Sequence, residues 1–129
     1  MCRHLSQVLY LLCADDDPDM RAILEAALRL DPEIEPEIFP SGSALLERAR
    51  FGDAHGILLD AMMPAPDGYA TCRALKADPL TAPIPVVFLT AAAERPAREA
   101  ALAAGAIACL PKPFDPRTLA AELRRAIIR

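Results

Sequence analysis

The chain has 129 residues, of which 53% are hydrophobic and 25% are charged. This length is close to one domain of ordinary size, and the composition supports a buried core and argues against disorder. The formal net charge is −4, and the chain has 5% aromatic residues and no tryptophan. We therefore expect no nucleic-acid partner, because nucleic-acid-binding modules carry basic patches or aromatic stacking platforms.

Neither a membrane segment nor a disulfide framework is predicted. No apolar run approaches the roughly 20 residues needed to cross a bilayer. The apolar stretch 8–13 is too short for a cleavable signal, and acidic residues follow it at once. The four cysteines form no C-x-x-C pair and have no histidine at zinc-ligand spacing. We expect a cytoplasmic protein with reduced thiols, in which Cys13 and Cys109 are small buried apolar residues.

Short apolar runs alternate with helical patterns along the chain. Continuous apolar runs predict five strands, over residues 8–13, 33–39, 57–59, 86–89 and 107–110. Helical spacing predicts a helix after each strand, over residues 20–28, 41–50, 69–77, 94–104 and from 115 onward. Pro36 interrupts the second strand and places it at a sheet edge. Asp115 and Pro116 are expected to open the last helix.

This alternation predicts a fold of the α/β class. It indicates a parallel sheet covered by helices on both faces, and right-handed crossovers restrict the topology to doubly wound arrangements. We expect residues 1–129 to form a single domain, with no output domain present.

In a doubly wound sheet, the functional site lies at the carboxyl ends of the strands. The first predicted strand ends in three consecutive aspartates, residues 15–17. The third ends in Asp60, the fourth in Thr90, and the fifth is followed by Lys112. Several carboxylates, one hydroxyl and one ammonium are therefore expected to meet at one edge of the sheet.

These groups together suit phosphoryl chemistry. Two carboxylates about 4 Å apart repel by about 4 kcal/mol at an effective dielectric of 20, and Mg²⁺ relieves that repulsion because it prefers oxygen ligands. Asp60 can act as a nucleophile, since carboxylates form acyl-phosphates. Lys112 can neutralise the transferring group, and Thr90 can donate a hydrogen bond to one of its oxygens.

Four motifs carry a resemblance to a known family. They are Asp15-Asp16-Asp17-Pro18-Asp19, the stretch 58–64 with Asp67-Gly68, the stretch 85–91, and Lys112-Pro113-Phe114. In this order and at the strand ends, they resemble the receiver domain of two-component response regulators, from Val8 to Ile128. The resemblance implies a CheY-like, flavodoxin-like fold: a five-stranded sheet of strand order 2-1-3-4-5 in three α/β/α layers. The stretch 76–85 is similar to receivers found in hybrid kinases and in regulators with enzymatic outputs.

The resemblance also implies a metal site. Asp16 would bind Mg²⁺ directly and Asp15 through a water molecule. Asp60 and the backbone carbonyl of Met62 would complete the protein ligands.

The family further implies a phosphoacceptor. Asp60 would accept a phosphoryl group from a histidine kinase or a histidine phosphotransfer protein. Lys112 would pair with Asp60 before transfer and with the phosphoryl group afterwards, and Thr90 would move to hydrogen-bond that group. The peptide bond between Lys112 and Pro113 is expected to be cis. The region 94–129 is a candidate surface for a downstream protein or for self-association.

The chain departs from the family pattern at the switch and beside the phosphoacceptor. The family usually has Tyr or Phe three residues before the lysine, where this chain has Cys109, which cannot follow the movement of Thr90 by rotating a ring. The two positions that influence water access to the acyl-phosphate are Met62 and Ala92, neither of which orients a water well. We therefore expect a long-lived acyl-phosphate, and either an output through a different face or a relay of phosphate.

Other interpretations remain open for single residues and for the whole chain. Asp17 and Asp67 are expected to cap helices, Tyr10 to pack in the sheet, and His55 to be exposed without a role.

A phosphohydrolase with an aspartyl nucleophile would need a second aspartate at the position of Met62. A dinucleotide site is excluded because no G-x-G-x-x-G follows the first strand. The remaining alternative is a pseudo-receiver that acts as a phosphorylation-independent interaction module.

Overall fold

The computed structural model describes residues 8–91 and 95–128. Cys2, His4, Ala92 and Glu94, which entered the sequence interpretation, lie outside these ranges. The described strands are β1 (Leu9–Ala14), β2 (Ile34–Phe39), β3 (Gly56–Asp60), β4 (Val86–Thr90) and β5 (Ala108–Pro111). The described helices are α1 (Pro18–Leu28), α2 (Gly42–Ala49), α3 (Gly68–Ala77), α4 (Arg95–Ala103) and α5 (Leu119–Ile127).

The strands form one parallel sheet in the order β2-β1-β3-β4-β5. Helices α1 and α5 cover one face, where Leu24 and Leu119 are buried against the sheet. Helices α2, α3 and α4 cover the other face, and their buried contributions include Leu45, Leu75 and Ala101. The predicted α/β class, the doubly wound topology and the strand order 2-1-3-4-5 are confirmed.

Burial explains why the strands are continuous apolar runs. All residues of β3 and β4 are buried, since helices cover both faces of these inner strands. Strand β2 lies at the edge of the sheet and alternates buried and exposed residues over its first half. Its Pro36 aligns with Leu11 of β1, so the edge position predicted from this proline is confirmed.

Capping side chains fix the starts of three helices and thereby the loops that lead into them. Asp17 accepts from the Asp19 backbone N–H, Ser41 from that of Ala44, and Asp67 from that of Ala70. The capping roles predicted for Asp17 and Asp67 are confirmed, and Ser41 caps α2 in the same way.

The predicted start of the last helix is wrong. Helix α5 begins at Leu119, because residues 116–118 form a turn that Asp115 closes. The Asp115 carbonyl accepts from the N–H groups of Thr118 and Leu119, while its carboxylate accepts from that of Arg117. From Leu119 onward the apolar face of the helix packs against the sheet: Leu119 and Leu123 are buried, and Ala126 and Ile127 are partly buried.

Two further expectations require correction. Tyr10 is 42% exposed rather than packed in the core, and its ring stacks on His55 with centroids 5.6 Å apart. Cys13 is fully buried, and burial followed by the charge of Asp15 raises the pKa of its thiol to about 12. Cys109 is only half-buried, because β5 lies at the sheet edge.

No helix in the described ranges has the length and apolar character needed to span a bilayer.

Candidate functional site

Three carboxylates meet at the carboxyl edge of the sheet. Asp15 and Asp16 follow β1, and Asp60 ends β3, the neighbouring strand. One oxygen from each lies within 4.8 Å of the others. Asp15 and Asp60 are buried, whereas Asp16 is exposed, so the acidic pocket opens to solvent on the Asp16 side. The convergence predicted from the strand ends is therefore present.

Lys112 places one ammonium beside two of these carboxylates. Its Nζ lies 3.2 Å from Oδ1 of Asp60 and 3.5 Å from Oδ2 of Asp15. The Lys112 backbone N–H donates to the carbonyl of Thr90 at 2.8 Å, and the peptide bond to Pro113 is cis, as predicted. The pairing of Lys112 with Asp60 is thus seen in the geometry.

The charges of the pocket do not balance. Burial, followed by the charge of Asp15, raises the pKa of Asp60, although Lys112 and the Met62 N–H act in the opposite direction. Burial would lower the pKa of Lys112, but Asp60 and Asp15 outweigh it and the net shift is upward. Three carboxylates facing one ammonium leave an excess of negative charge on oxygen donors. This donor set fits a hard divalent cation such as Mg²⁺.

Met62 and Thr90 complete the predicted set. The Met62 N–H donates to Oδ1 of Asp60 at 3.2 Å, while the Met62 side chain is 74% exposed. Its backbone therefore lies at the pocket and its side chain lies in solvent. Thr90 is buried at the end of β4, next to Asp60 at the end of β3.

The close approach of α3 to the pocket requires a glycine. A Cβ atom at Gly68 would collide with the backbone of Asp60 and Ala61. The Gly68 N–H instead donates to the carbonyl of Ala61 at 3.2 Å. The Asp67-Gly68 pair therefore sets the position of α3 against the end of β3.

Cys109 lies outside the carboxylate cluster. It aligns with Phe88 of β4 and packs against the core under α2, α3 and α4. Tyr69 of α3 packs against the same core, with its ring edge-on to Phe88 at 5.0 Å. Burial raises the pKa of Tyr69, and the neighbouring Cys109 and Asp67 raise it further. An aromatic ring from α3 therefore lies beside the β5 position where the family has one of its own.

Sequence reasoning also missed Arg21. Its Nη1 donates to the backbone carbonyl of Asp15 at 2.9 Å. A signal was available, because helical side chains tilt toward the N-terminus, so a long residue in the second turn of α1 can reach the preceding loop.

Comparison with known proteins identifies the class to which this fold and site belong. The family model of the response regulator receiver domain matches residues 11–124 of the sequence, and the chain therefore belongs to that family. It is 33% identical over 128 residues to the phosphate regulon transcriptional regulatory protein PhoB of Pseudomonas aeruginosa, covering 92% of this chain and 52% of PhoB. It is 40% identical over 114 residues to the response regulator PleD of Caulobacter vibrioides, covering 88% of this chain and 25% of PleD. The chain thus spans about half of one curated relative and a quarter of the other.

Solved receiver structures superpose closely on the chain. A putative response regulator from Chloroflexus aurantiacus is 31% identical with a TM-score of 0.86, covering 95% of this chain and 99% of its own. The chemotaxis protein CheY4 of Vibrio cholerae is 27% identical with a TM-score of 0.85, covering 92% and 98%. The receiver domain of the sensor histidine kinase PA1611 of P. aeruginosa, solved with magnesium coordinated in its active-site cleft, is 30% identical with a TM-score of 0.82, covering 93% and 98%. The chain is a receiver domain of two-component signalling with a CheY-like fold.

Proposed function

We propose that this receiver accepts a phosphoryl group on Asp60 from a histidine kinase or a histidine phosphotransfer protein, in a Mg²⁺-dependent reaction. The observation that carries the proposal is the position of Asp60. Its buried carboxylate lies within 4.8 Å of the oxygens of Asp15 and Asp16, and its Oδ1 lies 3.2 Å from Nζ of Lys112.

The transfer requires an in-line attack by a carboxylate oxygen of Asp60. A P–O bond forms to Asp60 while the P–N bond of the phosphohistidine donor breaks, and the leaving imidazole takes a proton from solvent water. Lys112 is placed to transfer its contact from the carboxylate to the phosphoryl oxygens as charge moves onto them. Thr90, at the end of β4, is proposed to donate its hydroxyl hydrogen to another of these oxygens.

The cation would be held by Asp15, Asp16, Asp60 and the backbone carbonyl of Met62. A bound Mg²⁺ supplies neutralisation of charge on the transferring phosphoryl group. Asp16, which is exposed, is the carboxylate best placed to bind the ion directly, while buried Asp15 is also engaged by Lys112. The magnesium in the cleft of the PA1611 receiver supports this assignment by similarity.

The first experiment is incubation with Mg²⁺ and acetyl phosphate, followed by intact mass spectrometry. We expect one phosphoryl adduct on the wild-type protein, and none on Asp60→Ala or in the presence of EDTA. Asp17→Asn is the matched control, because it removes a neighbouring carboxylate while its amide oxygen can still accept from the Asp19 N–H. We expect this variant to be phosphorylated like the wild type.

The same experiment tests the alternative of a pseudo-receiver. Absence of an adduct on the wild type, together with absence of beryllofluoride binding, would favour a phosphorylation-independent interaction module. An adduct that persists on Asp60→Ala would instead show that another residue is the phosphoacceptor.

The acyl-phosphate is proposed to be long-lived, since the exposed thioether of Met62 cannot orient an attacking water. We expect Met62→Asn to lose phosphate faster than the wild type, because an amide can hydrogen-bond water beside Asp60. Phosphate loss after gel filtration, measured by intact mass, gives both rates. Slow loss that is equal in both proteins would refute the role of this side chain.

The proposal also covers the chain as a whole. We propose that residues 1–129 act as one cytoplasmic receiver domain that transmits phosphorylation by conformational change or protein interaction. Region 94–129 is the proposed surface for a downstream protein or self-association, and Thr90 with Cys109 the proposed switch positions. Because Cys109 carries no ring, Tyr69, edge-on to Phe88, is proposed as an aromatic group that responds on this face.

A further inference from the structure

One side chain ties helix α1 to the β1–α1 loop, which carries two of the three clustered carboxylates. The Nη1 of Arg21 donates to the backbone carbonyl of Asp15 at 2.9 Å, in a partly buried hydrogen bond. No backbone N–H in the described part of the chain donates to this carbonyl. We propose that Arg21 is a positioning residue, which fixes Asp15 and Asp16 where their oxygens meet that of Asp60. This inference rests on the proposed function.

The bonded carbonyl belongs to the peptide plane that joins Asp15 to Asp16. Other bonds hold the preceding backbone and the Asp15 side chain: the Asp15 N–H donates to Phe39, and its Oδ1 accepts from the Asp17 N–H. Because the peptide unit is rigid, fixing its oxygen fixes the plane from which Asp16 departs. Arg21 therefore acts on the orientation of the exposed Asp16 carboxylate. The other two bonds do not hold that carboxylate directly.

The location of Arg21 is unfavourable unless it makes such a contact. It lies in the second turn of α1, near the helix end that carries partial positive charge. Its positive charge also repels a cation bound at the carboxylates through space. Loss of the charge would therefore strengthen Mg²⁺ binding, whereas loss of the hydrogen bond would weaken it. The two effects have opposite signs, so one substitution distinguishes them.

The test measures Mg²⁺ affinity by following backbone amide shifts in ¹⁵N spectra of the full chain. We expect Arg21→Met to bind Mg²⁺ about 10-fold more weakly, the lower end of what is lost when a residue that orients a metal ligand is removed. Arg21→Lys keeps a charged donor and is expected to bind more tightly than Arg21→Met. Arg125→Met, which removes an exposed arginine from α5, is the control and should bind like the wild type.

Thermal unfolding without Mg²⁺ separates positioning from a merely structural role. Equal or tighter Mg²⁺ binding by Arg21→Met would overturn the inference, even if the variant melts earlier. If Arg21→Met does not fold, Arg21→Gln replaces it, since its side chain is too short to reach the carbonyl, and the same loss is expected. If the wild type binds no Mg²⁺, the proposed function fails and the inference fails with it, an outcome distinct from failure of the variants alone.

Discussion

The Nζ of Lys112 lies 3.2 Å from Oδ1 of Asp60, with 20% of the lysine side chain and 7% of the aspartate side chain exposed. The same Nζ lies 3.5 Å from Asp15, so one ammonium is shared by two buried carboxylates. It can neutralise only one of them. Negative charge that a phosphoryl group brings to Asp60 therefore strengthens the attraction to the Lys112 ammonium. A residue whose interaction strengthens in this way stabilises the product or the transition state more than the starting state.

Substitution of Lys112 tests this relationship. We expect Lys112→Met to be phosphorylated by acetyl phosphate about 100-fold more slowly than the wild type, which is the loss typical of one removed charge-stabilising donor. Intact mass spectrometry over time gives the rates. Arg73→Met, which removes an exposed cation from α3, is the matched control and should match the wild type. Similar rates for Lys112→Met and the wild type would exclude Lys112 from the transfer step.

Asp16 is expected to have opposite effects on stability with and without Mg²⁺. Asp16→Asn removes one of three clustered charges, so in EDTA we expect it to be more stable than the wild type by about 1 kcal/mol, the Coulomb energy of two charges 4 Å apart in water. Mg²⁺ at about 100 times its dissociation constant should stabilise the wild type by about 2.7 kcal/mol and the variant by much less. Urea unfolding with and without Mg²⁺ measures both. Equal Mg²⁺ stabilisation of the two proteins would contradict Asp16 as a ligand.

The fold and the carboxylate cluster could be predicted because each depends on local pattern. Strands buried on both faces are recognisable as continuous apolar runs, and parallel strands bring their carboxyl ends to one edge. The predicted start of α5 failed because Asp115 and Pro116 are equally suited to open a helix or to close a turn. In the structure residues 116–118 form a turn, and the helix begins at Leu119.

The contacts that the sequence could not predict are long-range or depend on depth. Tyr10 fits a strand pattern, but whether helices cover its position depends on the layers above it. Tyr69 acts through neighbouring rings, and contacts of this kind have no residue-type signature at fixed spacing. The pairing of Arg124 with Asp31 joins α5 to the loop after α1 across the fold.

The pair of Arg124 and Asp31 predicts a pH dependence of stability. The Nη2 of Arg124 lies 2.8 Å from Oδ2 of Asp31, and both side chains are mostly buried. Burial tends to raise the pKa of Asp31, but the Glu33 N–H and Arg124 outweigh it and the pKa is lowered. A lowered carboxyl pKa gives stability that is present above the unfolded value of about 3.9 and is lost as the pH falls through the folded value.

We therefore expect Arg124→Met to be less stable than the wild type by about 1 kcal/mol at pH 7, with a difference that shrinks as the pH falls below about 4. Urea unfolding at pH 7 and pH 3 measures the two differences. Arg117→Met is the control, since its pair with Asp115 is exposed and should add nothing measurable. A difference that is the same at both pH values would assign the effect of Arg124 to packing alone.

His55 is predicted to stabilise the start of the sheet as a hydrogen-bond acceptor. The Nδ1 of the His55 ring accepts from the Tyr10 backbone N–H at 3.0 Å, while the His55 backbone N–H donates to the Tyr10 carbonyl at 2.8 Å. The neutral imidazole must then carry its proton on Nε2. We expect His55→Leu to lose about 1 kcal/mol of stability, because a strand N–H loses its partner. His55→Asn loses the same ring stack but places an amide oxygen near the position of Nδ1, and should retain more stability. Urea unfolding at pH 7 compares them, and equal losses in both variants would show that ring stacking on Tyr10, rather than the hydrogen bond, is what His55 contributes.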